Sequence, residues 1–117
     1  MSLESALRDV LQAICSRAYP DVAPAGASTP YVVWQQIGGR ATSYTDDAVP
    51  DEENSFVQVQ AWANTRVEAN GLMRQIEAAM VVAAAFAARP MSAMSAAPSD
   101  DENLRGAMQD FDIWIDR

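Results

Sequence analysis

The sequence predicts an α+β fold, in which a small antiparallel or mixed β-sheet carries two α-helices packed on one face. Two segments place apolar residues at helical spacing, and three short segments are β-branched, aromatic or alternating. Their order along the chain is helix, strand, strand, helix, an uncertain strand, and a last strand. Runs this short favour an antiparallel sheet with both helices on one face over a doubly wound fold. A chain of 117 residues, half of them hydrophobic, is expected to form a single domain over residues 1–117.

The first helix is predicted from Leu3, because the apolar residues then recur every three or four positions as far as Ile14. Ser2 is the expected N-cap. Cys15 borders the apolar stripe and is interpreted as a small buried apolar thiol rather than a reactive one. Two prolines, at positions 20 and 24, are expected to end the helix and force an extended connector.

A strand is predicted over Tyr31 to Ile37, with Pro30 before it and two glycines, Gly38 and Gly39, after it. Gln35 and Gln36 point to opposite faces of this strand, so one of them is expected near the core or a subunit contact. The glycines are interpreted as a strand end or a bulge. A phosphate-binding loop would need the pattern GxxxxGK[ST], and the chain contains no lysine.

The next strand begins, by prediction, at Phe56. Val57, Val59 and Ala61 alternate with three other residues, which gives one face suited to a core and one mixed contact surface. The residues on the contact surface are Gln58, Gln60 and Trp62. All three are candidates for a subunit interface.

The second helix is predicted to start at a capping box formed by Thr65 and Glu68. Helical spacing continues to about Ala88, where Arg89 complements the helix dipole and Pro90 stops the helix. The second half of this helix, AAMVVAAAFAA, is apolar all round. It is expected to be either an unusually buried core helix or a subunit contact. The candidate interface residues here are Val81, Val82 and Phe86.

The C-terminal part contains one ambiguous segment and one clear strand. The segment Met91 to Ala97 fits either a short strand or a loop, whereas FDIWID alternates as a strand should. The predicted core between the sheet and the two helices consists of Leu7, Val10, Leu11, Ile14, Val57, Val59, Leu72, Ile76, Phe111, Ile113 and Ile115.

The charge of the chain is strongly acidic and is concentrated in two loops. Sixteen carboxylates stand against eight arginines, for a net charge of −8, so binding to duplex DNA by phosphate neutralisation is a poor prediction. The acidic loops are placed near 43–54 and 98–105, and the first is expected to be mobile in the isolated protomer. Both could face a lumen or a partner through Asp46, Asp47, Asp51, Glu52, Glu53, Asp100, Asp101 and Glu102.

The sequence contains no recognisable catalytic constellation. It has no histidine, one cysteine, no GxSxG elbow, no dinucleotide fingerprint and no calcium-binding loop. We therefore predict no enzyme activity, no metal and no cofactor. An enzyme that used only Asp and Glu would need two carboxylates brought together in a pocket. The N-terminus lacks the features of a secretory signal, and the longest apolar run, Ala78 to Ala88, is shorter than the roughly 20 residues of a membrane span.

Three segments, read in order, resemble the tail-completion proteins of long-tailed phages and prophages, which are similar to tail terminators. They are YPDVAPAGASTPYVVWQQIGG, VQVQAWANTRVEANGLMRQIEAAM and DFDIWI. The resemblance implies an α+β protomer that assembles into a ring, of six subunits, at the head-proximal end of the tail tube. Its implied partners are other copies of itself, the tail tube protein and the head-side connector protein. It also implies assembly in the host cytoplasm and a final place in the virion tail.

A protein of another class shares several of these properties. Cytosolic secretion chaperones are also small, acidic and enzymatically silent, and they bind an extended client segment as dimers. Mass in solution separates the two hypotheses, because a stable peptide-binding dimer fits the chaperone and a ring fits the terminator.

Overall fold

The computed structural model describes residues 2–41 and 51–116, which form two helices and a six-stranded mixed sheet, an α+β fold as predicted. The sheet order is β1-β2-β3-β6-β4, and β5 also pairs with β6. Only β1 and β2 pair in parallel; the other described pairings are antiparallel. The elements are α1 (Leu3–Ile14), β1 (Ala18–Pro20), β2 (Tyr31–Gly38), β3 (Glu52–Ala63), α2 (Arg66–Val82), β4 (Ala87–Pro90), β5 (Ser95–Ala97) and β6 (Arg105–Asp116).

Helix α1 forms where the apolar spacing predicted it. The Ser2 hydroxyl accepts a hydrogen bond from the Ser5 backbone N–H at 3.1 Å, which satisfies a free donor of the first turn. The helix ends at Ile14, well before Pro20, because Cys15 turns to an extended conformation. The thiol of Cys15 is buried, as expected.

The connector after α1 contains a strand that was not predicted. Ala18 pairs with Val32, and Pro20 lies opposite Trp34 in the parallel β1–β2 ladder. A proline is tolerated here because β1 is an edge strand.

Strands β2 and β3 form an antiparallel pair with a register shift between Gln36 and Gly38, and β2 ends at Gly38, in line with the interpretation of the glycines as a strand end or a bulge. A Cβ on Gly39 would lie 2.6 Å from the backbone oxygen of Asn54, which leaves room only for glycine. Strand β3 begins at Glu52 rather than at Phe56.

The placement of Glu52 and Glu53 in an acidic loop is therefore wrong, since both belong to β3. The ladder extends because β6 supplies partners as far as Asp116, which lies opposite Glu52. The expected mobility of residues 43–54 does not fit the strand residues at the end of that segment. The rest of the predicted loop, including Asp46 and Asp47, lies outside the described residues.

The prediction that the second helix reaches Ala88 is also wrong. Thr65 accepts the Glu68 N–H at 3.2 Å as expected, but α2 ends at Val82 and Ala83 has an extended conformation. The chain then turns and forms β4, which pairs with β6. The apolar run is thus divided between a helix end and a strand, which removes the need for a helix covered on every side.

The ambiguous segment and the last strand are resolved in the same region of the sheet. Of residues 91–97, only Ser95–Ala97 are a strand, and they pair with the start of β6. Strand β6 begins at Arg105, six residues before the predicted FDIWID segment. It therefore contacts β3, β4 and β5 along its length.

A single apolar core lies between the sheet and both helices. It includes Ala6, Leu7 and Leu11 of α1 together with Ala69, Met73, Ile76 and Met80 of α2. Of the predicted core residues, Val10, Ile14 and Leu72 are partly buried against this cluster and the others belong to it. The alternation in β3 and β6 is confirmed, because Val57, Val59, Phe111, Ile113 and Ile115 are all buried.

Candidate interaction surfaces

The sheet face opposite the helices carries the predicted polar and aromatic residues of β3. Trp62 donates its indole N–H to Gln60 Oε1 at 3.2 Å, and Gln60 donates from Nε2 to Gln58 Oε1 at 3.0 Å. All three side chains are half-buried. This chain of hydrogen bonds orients the two amides, so the face presents an ordered polar row beside an aromatic ring.

A groove of about 550 Å³ opens at one end of this face. Its floor comes from two neighbouring strands: Tyr31 and Val33 of β2, and Gln60 and Trp62 of β3. The rings of Tyr31 and Trp62 stack with centroids 6.4 Å apart and an interplanar angle of 25°. The walls are residues 21–29, which follow β1, and residues 101–104, which precede β6. We call this cavity the aromatic groove.

Two carboxylates, those of Asp21 and Asp101, line the aromatic groove, and no arginine is among its described lining residues. Burial raises the pKa of the Tyr31 phenol, and the negative charge of Asp101 raises it further. The Asp101 carboxylate accepts the Asn103 backbone N–H at 2.9 Å, which orients it within its turn. The groove is therefore an aromatic-floored, negatively charged site.

The predicted interface residues of the second helix lie on the other side of the sheet. Val81 and Val82 are 46% and 78% exposed at the C-terminal end of α2. The structure therefore does not bring them together with Gln58, Gln60 and Trp62 within one protomer. Phe86, the third candidate interface residue, follows the helix and is 6% exposed in the core. It offers no surface to a neighbour while the protomer is folded.

The second acidic segment lies where it was predicted, in the connection between β5 and β6. Asp100, Asp101 and Glu102 are exposed, and they line a cavity of about 530 Å³ together with Arg66 and Arg105. Asp51 is exposed immediately before β3. The carboxylates between β5 and β6 are therefore exposed, where they could contact a partner or face a lumen.

A polar cluster lies at the other end of the sheet face opposite the helices, which we call the open face. The buried side chain of Asn54 accepts the Arg40 backbone N–H at 2.8 Å and donates to the carboxylate of Asp112. The guanidinium of Arg40 lies 3.5 Å from Asp112 and 5.6 Å from the centre of the Phe56 ring. These contacts tie the segment after β2 to β3 and β6.

Sequence reasoning missed Asp21, Tyr31 and Val33 as members of a surface site. The signal that could have found the last two is strand alternation, because the odd residues of β2 share a face with the even residues of β3. Tyr31 lies opposite Trp62 in the observed register. Nothing local to Asp21 marks it, since its position depends on the parallel pairing of β1.

No group of three or more metal-ligating side chains comes together within residues 2–41 and 51–116. In the same part of the chain, neither helix is long and apolar enough to cross a bilayer.

Comparisons with known proteins place this fold. A chain from a solved structure described as "Virion of native gene transfer agent (GTA) particle" has the same fold, with a TM-score of 0.64 and 14% sequence identity. The match covers 99% of this chain and 96% of that one. A comparison with curated proteins gave no match. The sequence model of the family described as "Tail completion protein gp17" matches residues 2–116, which include every helix and strand. The chain therefore belongs to the tail completion protein gp17 family and is a structural protein of phage tails.

Proposed function

We propose that the protein ends polymerisation of the tail tube by assembling as a closed ring at its head-proximal end. The ring, of six subunits, would then offer the surface for the head-side connector protein, with the tail tube protein bound on its other side. The observation that carries this proposal is the family match, which extends over all the described elements. The similar fold in the gene transfer agent virion is consistent with it.

The protomer offers the two different surfaces that a closed ring requires. Subunits related by rotation meet head to tail, so each must present one patch to the neighbour before it and another to the neighbour after it. The open sheet face with Gln58, Gln60 and Trp62 is one candidate, and the end of α2 with Val81 and Val82 is the other. The first patch lies on the open face of the sheet, and the second lies at the end of a helix that covers the other face.

The exposed carboxylates have a role in this proposal. If Asp100 and Glu102 face the lumen or an adjoining ring, they repel the phosphates of passing DNA and keep it from adhering. Assembly would take place in the host cytoplasm, and the finished ring would remain in the virion tail.

Deletion of the gene tests the proposed function. We expect tails of uncontrolled length, or tails that fail to join heads, because no other ring would stop the tube. Electron microscopy of particles from the deletion strain, compared with the same strain complemented by the wild-type chain, measures both defects. Tails of normal length joined to heads in the deletion strain would reject the proposal.

The interface part of the proposal is tested by Val82→Asp. Val82 is 78% exposed, so the variant protomer is expected to fold with wild-type circular dichroism. Assembly should fail, since an unpaired charge in a packed contact is costly. Ala13→Asp is the matched control, because it adds the same charge at an exposed position on α1. Normal tails after complementation with a folded Val82→Asp variant would exclude this end of α2 from the interface.

A further inference from the structure

The outward side of α2 carries one positive charge within a row of exposed apolar residues. The buried residues of α2 lie on the opposite side of the helix. The row comprises Val67, Arg74, Ala78 and Val81, and we call it the outer stripe. Val67 is 83% exposed and Val81 is 46% exposed, and no carboxylate belongs to the row. An exposed apolar row centred on an arginine is the composition expected of an interface.

The aromatic groove has the complementary composition. Asp21 and Asp101 supply negative charge, and the stacked rings of Tyr31 and Trp62 supply a flat apolar surface. Val22, which is 76% exposed on the groove wall, supplies an apolar contact at the rim. A guanidinium suits this combination because it is planar, donates several hydrogen bonds to carboxylates and stacks on aromatic faces.

We propose that the outer stripe of one protomer docks in the aromatic groove of the next, with the Arg74 guanidinium between Asp21 and Asp101 and against the aromatic floor. This inference rests on the proposed ring and names the contact that closes it. The valines of the stripe then cover Val22 and the rim of the groove. Each interface then pairs one positively charged stripe with one negatively charged groove.

A second copy of the chain is the occupant that the geometry favours. The stripe lies on the helical side of the sheet and the groove on the open side, so one protomer cannot fill its own groove. A head-to-tail contact between copies uses each surface once and leaves neither exposed in a closed ring. Of the eight arginines of the chain, Arg74 is the one that lies at the centre of the outward face of α2.

Charge substitutions at the two surfaces test this pairing. The first variant is Arg74→Glu, the second combines Asp21→Asn with Asp101→Asn, and the third combines all three changes. Asparagine tolerates the positive φ of 65° at Asp21 and keeps an acceptor oxygen for the Asn103 N–H at position 101. Arg8→Glu on α1 is the matched control for Arg74→Glu, because it makes the same change in net charge at an exposed site.

Ring assembly of the full-length chain is measured by sedimentation velocity over a concentration series, with purified tail tubes added to every sample if the wild type needs them. We expect Arg74→Glu to weaken assembly about tenfold or more, because like charges would then meet in the groove, and Arg8→Glu to assemble like the wild type. The triple variant should recover much of that loss, since the acids that repel the new glutamate are gone.

The outcomes separate this inference from the proposed function. Rings that form equally well with Arg74→Glu would overturn the contact and leave the ring standing. A triple variant that assembles no better than Arg74→Glu would overturn the pairing with Asp21 and Asp101. Wild-type chain that never forms a ring, alone or on tubes, would overturn the proposed function itself.

Discussion

Replacing Phe86 with aspartate is expected to destabilise the protomer by more than about 3 kcal/mol, and to leave it unfolded if its total stability is low. Phe86 lies in the segment that connects α2 to β4. It is 6% exposed and belongs to the apolar core. The substitution removes the burial of an aromatic ring and places a carboxylate in an apolar core, which is costly for a charged group. Urea denaturation followed by circular dichroism measures the change in the free energy of unfolding.

Phe86→Leu is the control for this experiment, since it keeps an apolar side chain and should cost less than about 2 kcal/mol. The comparison with Val82→Asp is also informative, because the same aspartate is introduced four positions earlier at an exposed site. We expect the first substitution to affect folding and the second to affect assembly. A Phe86→Asp variant as stable as the wild type would show that this residue is not in the core.

The error at Phe86 has a physical cause. From Ala78 to Ala88 every residue is small or apolar, so the segment suits a buried helix face and a buried strand equally well. The helix ends at Val82 because the following residues pair with β6, about two dozen residues further along the chain. The local sequence does not indicate that pairing, and the first proline after the helix is Pro90, the last residue of β4.

Elements with a strong periodic pattern were predictable, and elements that depend on a distant partner were not. The stripe of α1 and the alternation of β3 and β6 each bury one face, so their patterns are in the sequence. Strand β1 has only three residues and exists through its parallel ladder with β2. The first three residues of β3 look like the end of an acidic loop, but they are a strand because β6 continues beside them.

The same distinction applies to the interaction surfaces. Gln58, Gln60 and Trp62 follow from alternation within one strand, and the exposed valines follow from an apolar run. The aromatic groove combines residues near positions 21–29, 31–33, 60–64 and 101–104, which are separated by long stretches of chain. Only the β2–β3 register and the two connecting loops bring them together. Strand alternation can indicate Tyr31 and Val33 on its floor, but no local pattern places the two loops beside them.

Replacing Ile113 with alanine should lower the free energy of unfolding by about 2–5 kcal/mol. Ile113 is fully buried in β6, opposite Ser55 of β3 and Ala88 of β4, so small side chains flank it on both sides. The cavity left by the missing carbons therefore has few neighbours able to fill it, which favours the upper part of that range. Denaturant unfolding measures the change, and an unchanged m-value would show that the loss comes from the native core rather than from the denatured state.

The control for Ile113→Ala is Ile37→Ala, which removes the same atoms from a side chain that is 45% exposed at the end of β2. We expect that variant to change stability by less than about 1 kcal/mol, since little apolar surface is lost from the interior. A loss below about 0.5 kcal/mol at Ile113 would contradict its place in the core. Because β6 pairs with β3, β4 and β5, a large loss at this one position should appear as cooperative unfolding of the whole sheet rather than as fraying of its edge.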